Sequence, residues 1–358
     1  MTNVPALHRA WTRRLALQRF LFLSAVAIAV APAYALSVRT PTSAAEAAAM
    51  VVQSFVYATV IGLPLAAAEA LAFAVGTAAG APRRVPFAVI FLAKTVAYAA
   101  WIVAGAAIAG SLTHAHDETP LEDLLLHKGT LIAAATTAVL LNLILTAGRL
   151  IGFKTLLLIL SGRYHRPRQE ERLVAFVDVR GATTIAETLG DVSFQGFLID
   201  LFRIIEVTAL ETGGEIHDYV GDQAMITWPV PLNTEARGIE PLRWIADLGQ
   251  ALAELRPAFE ARYGQAPDVR IGMHLGSVVM GEVGVFRTKL ACLGDTVNTA
   301  ARVEELAHEQ QVRALVTAHV LERFPLPPGL LEATIGDCTL LRGKNTPIAI
   351  HRISTAAQ

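Results

Sequence analysis

Four long apolar stretches in the N-terminal half constrain this chain more than any other feature. They occupy residues 20–36, 51–78, 86–110 and 130–148, and each is long enough for a helix that crosses roughly 30 Å of hydrocarbon. Hydrophobic residues make up 53% of the chain and charged residues only 17%. Because the apolar excess lies in this half, it favours a bilayer over an unusually apolar core. We predict an α-helical membrane domain with four transmembrane helices over residues 1–148.

Basic residues lie unevenly around these stretches, and Lys and Arg favour the cytoplasmic side of a membrane. The N-terminus, the second connection and the segment after the last stretch contain Arg9, Arg13, Arg14, Arg19, Arg83, Arg84, Arg149 and Lys154, whereas the third connection contains Asp117, Glu118, Glu122 and Asp123. The sequence thus predicts a multi-pass protein of the cell (inner) membrane with its C-terminal half in the cytoplasm. The first stretch, which precedes Ala33-Tyr34-Ala35, also fits a cleavable signal peptide; its removal would leave that half in place.

Ionisable side chains inside the apolar stretches are candidates for a paired or functional role. Glu69 and Lys94 lie at similar depth in the second and third stretches, so we expect either an ion pair or two side chains that reach the interface or a wet cleft. The third connection contains His114, His116 and His127. These histidines fit a metal or proton sensor, and they equally fit a solvated loop.

The second half changes to an α/β pattern, after a predicted helical linker over residues 149–170. Residues 171–358 predict strands at 173–177, 215–220, 224–228, 269–274, 277–282, 312–317, 338–342 and 348–353, with helices at 192–211, 241–262 and 295–308. This alternation indicates a sheet with helices packed on one face. The net charge of −1 gives no basic field for nucleic acid, which we exclude as a partner.

Two aspartates occupy positions that suit a metal site. Asp178 ends the first strand, and Asp222 lies in the hairpin turn 44 residues later. Either alone is typical of a helix cap or a turn, but a strand end and a neighbouring turn can meet at one edge of an antiparallel sheet. Mg²⁺ binds through one or two carboxylates together with substrate phosphates. Gly181 and Gly221 would let backbone N–H groups approach those phosphates closely.

A third segment adds an amide and a guanidinium. Asn298 and Arg302 are four residues apart on a predicted helix, so their side chains project from one face. Such a pair can hold a ribose and a phosphate, although a capping Asn and a surface Arg would look the same in this segment alone.

Residues 176–184, 213–222, 269–284 and 293–304 together resemble the class III adenylate/guanylate cyclase family. The resemblance covers about residues 170–353 and implies a C-terminal α/β domain with a ferredoxin-like core. It also implies a head-to-tail homodimer whose active sites need residues from both subunits. Carried over, Asp178 and Asp222 hold two Mg²⁺ (or Mn²⁺) ions per active site, with the Val179 carbonyl as a further ligand. Asn298 orients the ribose and Arg302 stabilises charge at the α-phosphate, both from the partner subunit.

The resemblance also assigns the phosphate-binding and base-selecting positions. The phosphate-binding residues are Gly181, Ala182, Thr183 and Arg342, where Ala182 replaces a common Phe and Arg342 a usual Lys. At the base-selecting positions, adenylate cyclases usually have Lys with Asp or Thr, and guanylate cyclases have Glu with Cys; this chain has Asp218 and Ala291. We expect conversion of ATP to cyclic AMP. The alternatives are GTP as substrate, or a receptor whose cyclase-like domain only binds nucleotide.

Overall fold

A computed structural model describes residues 16–17, 20–33, 36, 40–78, 86–113, 128–152, 157–159, 161–230, 240–284, 288–339 and 347–355. It divides into two compact units, with the boundary between Leu157 and Leu158. The basic and acidic residues that predict the orientation lie outside the described residues, apart from Arg149 at the end of a helix. The histidines of the third connection also lie outside them.

The first unit contains a helix in each of the four apolar stretches, as far as the structure describes them. Its helices are α1 (Phe20–Ala33), α2 (Ala44–Tyr57), α3 (Leu63–Ala78), α4 (Phe87–Thr113) and α5 (Lys128–Ile151). A single π-helical turn, Ala58–Gly62, joins α2 to α3. By length and composition, two helical segments could cross a membrane, namely Ala44–Ala72 with 29 residues and Phe87–Thr113 with 27. Phe20–Ala33 and Ala135–Gly148 are shorter apolar helices.

Polar side chains in this unit pair with one another, while large apolar ones face outward. Leu71 and Leu92 are 65% and 64% exposed. Between α3 and α4, Lys94 forms an ion pair with Glu69, which confirms the predicted pair, and the Tyr98 hydroxyl donates to the same carboxylate. Outward apolar residues and a paired Glu69 suit a hydrocarbon environment, although the buried Ser24 hydroxyl has no hydrogen-bond partner among the described residues.

The second unit is built on one mixed sheet. Its strands are β1 (Arg168–Val179), β2 (Glu215–Val220), β3 (Gln223–Pro229), β4 (Val269–Val283), β5 (Lys289–Leu293), β6 (Ala314–Thr317), β7 (Leu330–Thr339) and β8 (Ile348–Thr355). The order is β2-β3-β1-β4-β6-β8-β7, with β5 paired to β4. Strand β1 is antiparallel to both β3 and β4, whereas β4 and β6 are parallel. The helices of the second unit are α6 (Ala182–Leu189), α7 (Asp191–Glu211), α8 (Pro241–Tyr263), α9 (Asp295–Glu309) and α10 (Ala318–Arg323).

Helices cover both faces of this sheet, so the prediction of helices on one face is wrong. Trp228, opposite Leu173 in register, packs against Trp244 of α8 with ring centroids 5.3 Å apart. Gly272, opposite Phe176, faces α9 instead. Since successive residues of a strand point to opposite faces, α8 and α9 lie on different sides. The alternation of strands and helices in the sequence does not specify which face each helix takes.

Two glycines let α9 lie directly on β4. A Cβ at Gly272 would stand 2.1 Å from the backbone nitrogen of Glu304, and one at Gly276 would stand 2.5 Å from the Thr296 hydroxyl. The two strands predicted on either side of Gly276 are therefore one continuous strand, in which Gly276 pairs with Arg172. Glycine is present because the helix needs the space, and it does not interrupt the strand.

Other differences concern short or irregular elements. The predicted strand at 338–342 overlaps the end of β7, which spans Leu330–Thr339, and residues 340–342 lie outside the described residues. Helices α6 and α10 and strand β5 have too few residues to give a periodic signal in the sequence. Within the predicted linker, 157–159 are helical, 161–166 form turns and bends, and β1 already begins at Arg168.

Candidate active site

Asp178 and Asp222 lie together at one end of the central strands. Asp178 is the last residue but one of β1, and Asp222 follows Gly221 in the turn between β2 and β3. Strands β1 and β3 pair with Asp178 opposite Gln223, the residue after Asp222. This register brings the two carboxyl groups within hydrogen-bonding distance. The structure thus brings together two acids that are distant in sequence.

The electrostatics at this edge suit a divalent cation. Burial, followed by the charge of Asp222, raises the pKa of Asp178 to about 6, against the opposing effects of Arg270 and the Val179 backbone N–H. Two adjacent carboxylates resist simultaneous ionisation, and a bound cation relieves that repulsion. Carboxylate oxygens are also the ligands that Mg²⁺ prefers. The residues at this edge therefore fit Mg²⁺ or Mn²⁺, and Val179 lies at the same edge.

The chain beyond β1 turns into the N-terminus of α6. Gly181 caps that helix with φ 74°, a left-handed conformation, and Gly221 has φ 64° in the turn before Asp222. Ala182 and Thr183 form the first turn, where Thr183 is exposed. Unpaired N–H groups at a helix N-terminus bind phosphate oxygens, so this turn lies where the predicted phosphate loop needs donors.

Asn298 and Arg302 lie on α9, one turn apart. Asn298 is exposed and Arg302 is half-buried. The start of the helix is fixed by Thr296, whose hydroxyl donates to the Ser277 carbonyl at 2.6 Å. Among the described residues, no hydrogen bond or ion pair joins Asn298 or Arg302 to the two aspartates. In the described part of one chain, the two pairs of predicted site residues are therefore not joined by a direct polar contact.

A buried polar group lies behind the aspartates, on the α9 side of the sheet. Arg270 places Nη1 3.9 Å from Oδ2 of Asp178. Glu304 accepts a 3.3 Å hydrogen bond from Nε2 of Gln223. Burial, and then the charge of Asp178, raise the pKa of Glu304 to about 7. Sequence reasoning did not single out Arg270, Gln223 or Glu304.

The predicted base-selecting positions contain a charge pair. Asp218 follows a bulge in β2. Its carboxylate accepts a hydrogen bond from Nζ of Lys289, and Lys289 is the first residue of β5. Ala291 is two residues from Lys289, so the two point to the same side of β5. The predicted phosphate-binding Arg342 lies outside the described residues.

A family comparison matches this domain. The sequence model described as the Adenylate and Guanylate cyclase catalytic domain matches residues 165–348, just over half of the 358 residues. The match contains both aspartates, the helix with Asn298 and Arg302, and the Asp218–Lys289 pair. The chain belongs to the class III adenylate and guanylate cyclase family.

Similar proteins include cyclases of both specificities. Adenylate cyclase 2 of Rhizobium meliloti (strain 1021) is 31% identical over 275 residues, which cover 76% of this chain and 75% of that protein. Residues 165–358 are too few for such a match, so it extends into the N-terminal half of the cyclase. Guanylate cyclase D of Mus musculus is 33% identical over 135 residues, covering 37% of this chain and 12% of that protein.

A solved structure supports the fold of the cyclase domain. The structure of a bacterial light-regulated adenylyl cyclase has a TM-score of 0.52 at 22% identity, covering 64% of this chain and 67% of that one.

Two features of this cyclase needed the structure to be found. Lys289 is two residues before Ala291, but only the folding of β5 towards β2 brings it to Asp218. Glu304 lies within the segment that resembles the family, yet its burial against Gly272 depends on packing that no spacing in the sequence expresses.

Proposed function

We propose that this protein is a membrane-anchored adenylate cyclase that converts ATP to 3′,5′-cyclic AMP and pyrophosphate. It acts as a homodimer with two Mg²⁺ (or Mn²⁺) ions per active site. The observation that carries the proposal is the contact between the carboxyl groups of Asp178 and Asp222 at one sheet edge. In a domain of the cyclase family, this pair gives the substrate phosphates a site for divalent cations.

Each predicted site residue has a defined task. Asp178 and Asp222, with the Val179 carbonyl, would hold the ions, which supply activation of the ribose 3′-hydroxyl and neutralise charge on the leaving pyrophosphate. The backbone around Gly181, Ala182 and Thr183 binds phosphate oxygens, and Arg342 contacts the terminal phosphates. Little covalent chemistry falls to side chains, so positioning and charge stabilisation dominate.

The second subunit supplies Asn298 and Arg302. Within the described residues, no hydrogen bond or ion pair joins this pair to the aspartates of the same chain, which supports a site completed by a partner. Asn298 orients the ribose, and Arg302 stabilises the negative charge that develops at the α-phosphate. A two-fold dimer then contains two equivalent sites.

The ion pair at the base-selecting positions supports ATP. Adenine N1 accepts a hydrogen bond, whereas guanine N1 donates one. Asp218 alone would accept from guanine, but Lys289 engages its carboxylate and brings an ammonium donor to the same place. The relative that aligns with most of this chain is also named an adenylate cyclase. Guanylate cyclase is the second candidate, favoured by the Asp218 carboxylate if Lys289 turns away.

The N-terminal half anchors the domain in the bilayer. We propose four membrane helices within residues 1–148, a linker over 149–170 and a cytoplasmic cyclase domain over 171–358, in the cell (inner) membrane. The outward-facing apolar residues and the two helical segments of sufficient length support this arrangement. Reporter fusions after residues 113 and 358 test it: only the fusion at 358 should report a cytoplasmic location.

The catalytic proposal has a direct biochemical test. Purified full-length protein is incubated with Mn²⁺ and either ATP or GTP, and the products are separated by chromatography. We expect cyclic AMP from ATP, less cyclic GMP from GTP, and neither from the Asp222→Asn variant. Cyclic GMP as the main product would establish the second candidate. No cyclic product from either nucleotide would favour a receptor that only binds nucleotide.

A further inference from the structure

Glu304 is a buried acid that the proposed chemistry does not use. It lies on α9 and is 5% exposed, and its Oε2 accepts from Nε2 of Gln223 at 3.3 Å. Its other oxygen, Oε1, has no hydrogen-bond partner within the described part of the chain. An ionisable group buried with one oxygen unsatisfied is costly to folding, so its retention calls for a functional explanation.

The position of Glu304 on the helix separates it from Arg302. Two residues along an α-helix correspond to a rotation of about 200°, so the two side chains leave α9 on opposite sides. Arg302 is half-buried, whereas Glu304 points to the sheet, where Gly272 lets its backbone approach β4. Helix α9 therefore has two different faces, one that contains Arg302 and one towards its own sheet.

The part of the sheet that Glu304 packs against contains the neighbours of Asp178. Gln223 on β3 and Arg270 on β4 are both opposite Asp178 in register, so the three side chains share the α9 face. Arg270 is 6% exposed, its Nη1 is 3.9 Å from Asp178, and its Nε has no partner in the described residues. Asp222 directly precedes Gln223. Glu304 thus contacts the residue that links the two metal-binding acids.

We propose that Glu304 is a positioning residue for the metal-binding acids of its own chain, although its neighbours on α9 serve the other active site of the dimer. This inference rests on the proposed function. Glu304 holds the Gln223 amide, which fixes the turn that presents Asp222 next to Asp178. This positioning strengthens the attraction of the site for divalent cations. One helix then supports two active sites.

The test uses a dimer with only one competent site. One tagged full-length subunit, the acid donor, carries Arg302→Ala and keeps both aspartates. The other, the arginine donor, carries Asp222→Ala and keeps Asn298 and Arg302. Co-expression and tandem purification give the heterodimer. Glu304→Gln is then placed in one subunit or the other, and activity is measured against Mg²⁺ and ATP concentration.

The two placements should differ. In the acid donor, Glu304→Gln should raise the Mg²⁺ concentration for half-maximal activity about tenfold, while in the arginine donor it should change that value less than twofold. Glu305→Gln, at the exposed neighbouring position on α9, is the matched control and should have no effect in either subunit. A loss confined to the arginine donor, or equal in both, would overturn the inference.

Two further experiments distinguish failure of this inference from a folding defect and from failure of the proposed function. If Glu304→Gln prevents assembly, Gln223→Met is tested in its place, because it removes the amide that Glu304 holds. The effect of Gln223→Met should likewise be confined to the acid donor. An effect that does not depend on placement would count against the inference. A heterodimer without Glu304→Gln that makes no cyclic nucleotide would instead refute the shared site of the proposed function.

Discussion

The two halves of the molecule each contain a cluster of charged residues that is at least half-buried, and the clusters are balanced differently. In the first half, Glu69 meets one cation, Lys94, and one donor, Tyr98. In the second half, the acids Asp178, Asp222 and Glu304 lie close to one another, and Arg270 is the cation that acts on Asp178 and Glu304 within the described residues. Two polar atoms of this cluster, Nε of Arg270 and Oε1 of Glu304, lack partners there. The charge of Glu69 is neutralised by Lys94, so the first cluster does not require another ion. In the second cluster the carboxyl groups outnumber the cation next to a turn, and this excess of negative charge favours bound cations. The comparison supports the proposal that the second cluster binds substrate and metal, whereas the first joins α3 to α4.

The largest expected difference between the two clusters is in catalysis, and it is tested by substituting one residue in each half. Arg302→Ala should lower kcat by about a hundredfold or more, since loss of one preorganised donor to a charged transition state costs roughly 3 kcal/mol or more. Glu69→Gln should leave kcat of the folded protein within about twofold, because an effect on helix packing does not reach the transition state. Steady-state rates of cyclic AMP formation measure both. Equal losses would remove the distinction.

Substrate choice offers the next largest effect. Lys289→Met should reduce the preference for ATP over GTP, measured as the ratio of kcat/KM, by about tenfold, the lower end of the value of a charge-assisted hydrogen bond. Arg256→Met, which breaks the exposed pair with Glu260, is the control and should leave the ratio unchanged. An unchanged ratio in Lys289→Met, with intact thermal stability, would reduce the Lys289–Asp218 contact to a structural ion pair.

Acid should weaken cation binding in the second half. The pKa of Asp178 is raised to about 6 by burial and by Asp222, above its ordinary value near 4. Ionisation of this carboxyl therefore destabilises the metal-free fold above pH 6, and protonation relieves the repulsion as pH falls through 6. Since a cation must displace that proton, Mn²⁺ affinity should fall about tenfold between pH 7.5 and pH 5.

Electron paramagnetic resonance of Mn²⁺ with nucleotide-free protein measures this affinity directly. Asp178→Asn should bind weakly at every pH and should not be less stable than the wild type at pH 7.5 without metal. Affinity that is independent of pH across this window would contradict the proposed origin of the shift.

The first half should behave as a coupled pair in stability measurements. Glu69→Gln and Lys94→Met should each destabilise the protein by about 1–3 kcal/mol, and the double mutant by no more than the larger single effect, because either change alone leaves an unpaired charge. Thermal unfolding in detergent measures the three variants. Additive losses would show that the side chains act independently.

The sequence was informative where chemistry depends on residue type and on local spacing. Asp178 at a strand end and Asp222 in a hairpin turn are readable as a pair, because antiparallel strands force those ends together. An ion pair between Glu69 and Lys94 could be predicted on energetic grounds, since unpaired charges are costly in an apolar environment. Helix bounds such as Asp191–Glu211 agree within a residue with the predicted 192–211.

What the sequence could not supply was long-range packing. Gly276 looks like a strand break until Thr296 is seen to occupy the space above it. Lys289 has no local relation to Asp218, and the ion pair exists only because β5 folds back along β4. Glu304 looks like one of several helix acids until its backbone is placed on Gly272. Each of these contacts joins residues from different elements, so periodicity does not report them.

The central claim is that one chain supplies the acids and a second chain supplies Asn298 and Arg302. Co-expression of Asp222→Ala with Arg302→Ala tests it most directly, because each variant alone should be inactive. Random pairing in a two-fold dimer predicts recovery to about a quarter of wild-type specific activity, since half the dimers contain one intact site of two. A mixture as inactive as its components, with heterodimers present by tandem purification, would contradict the claim.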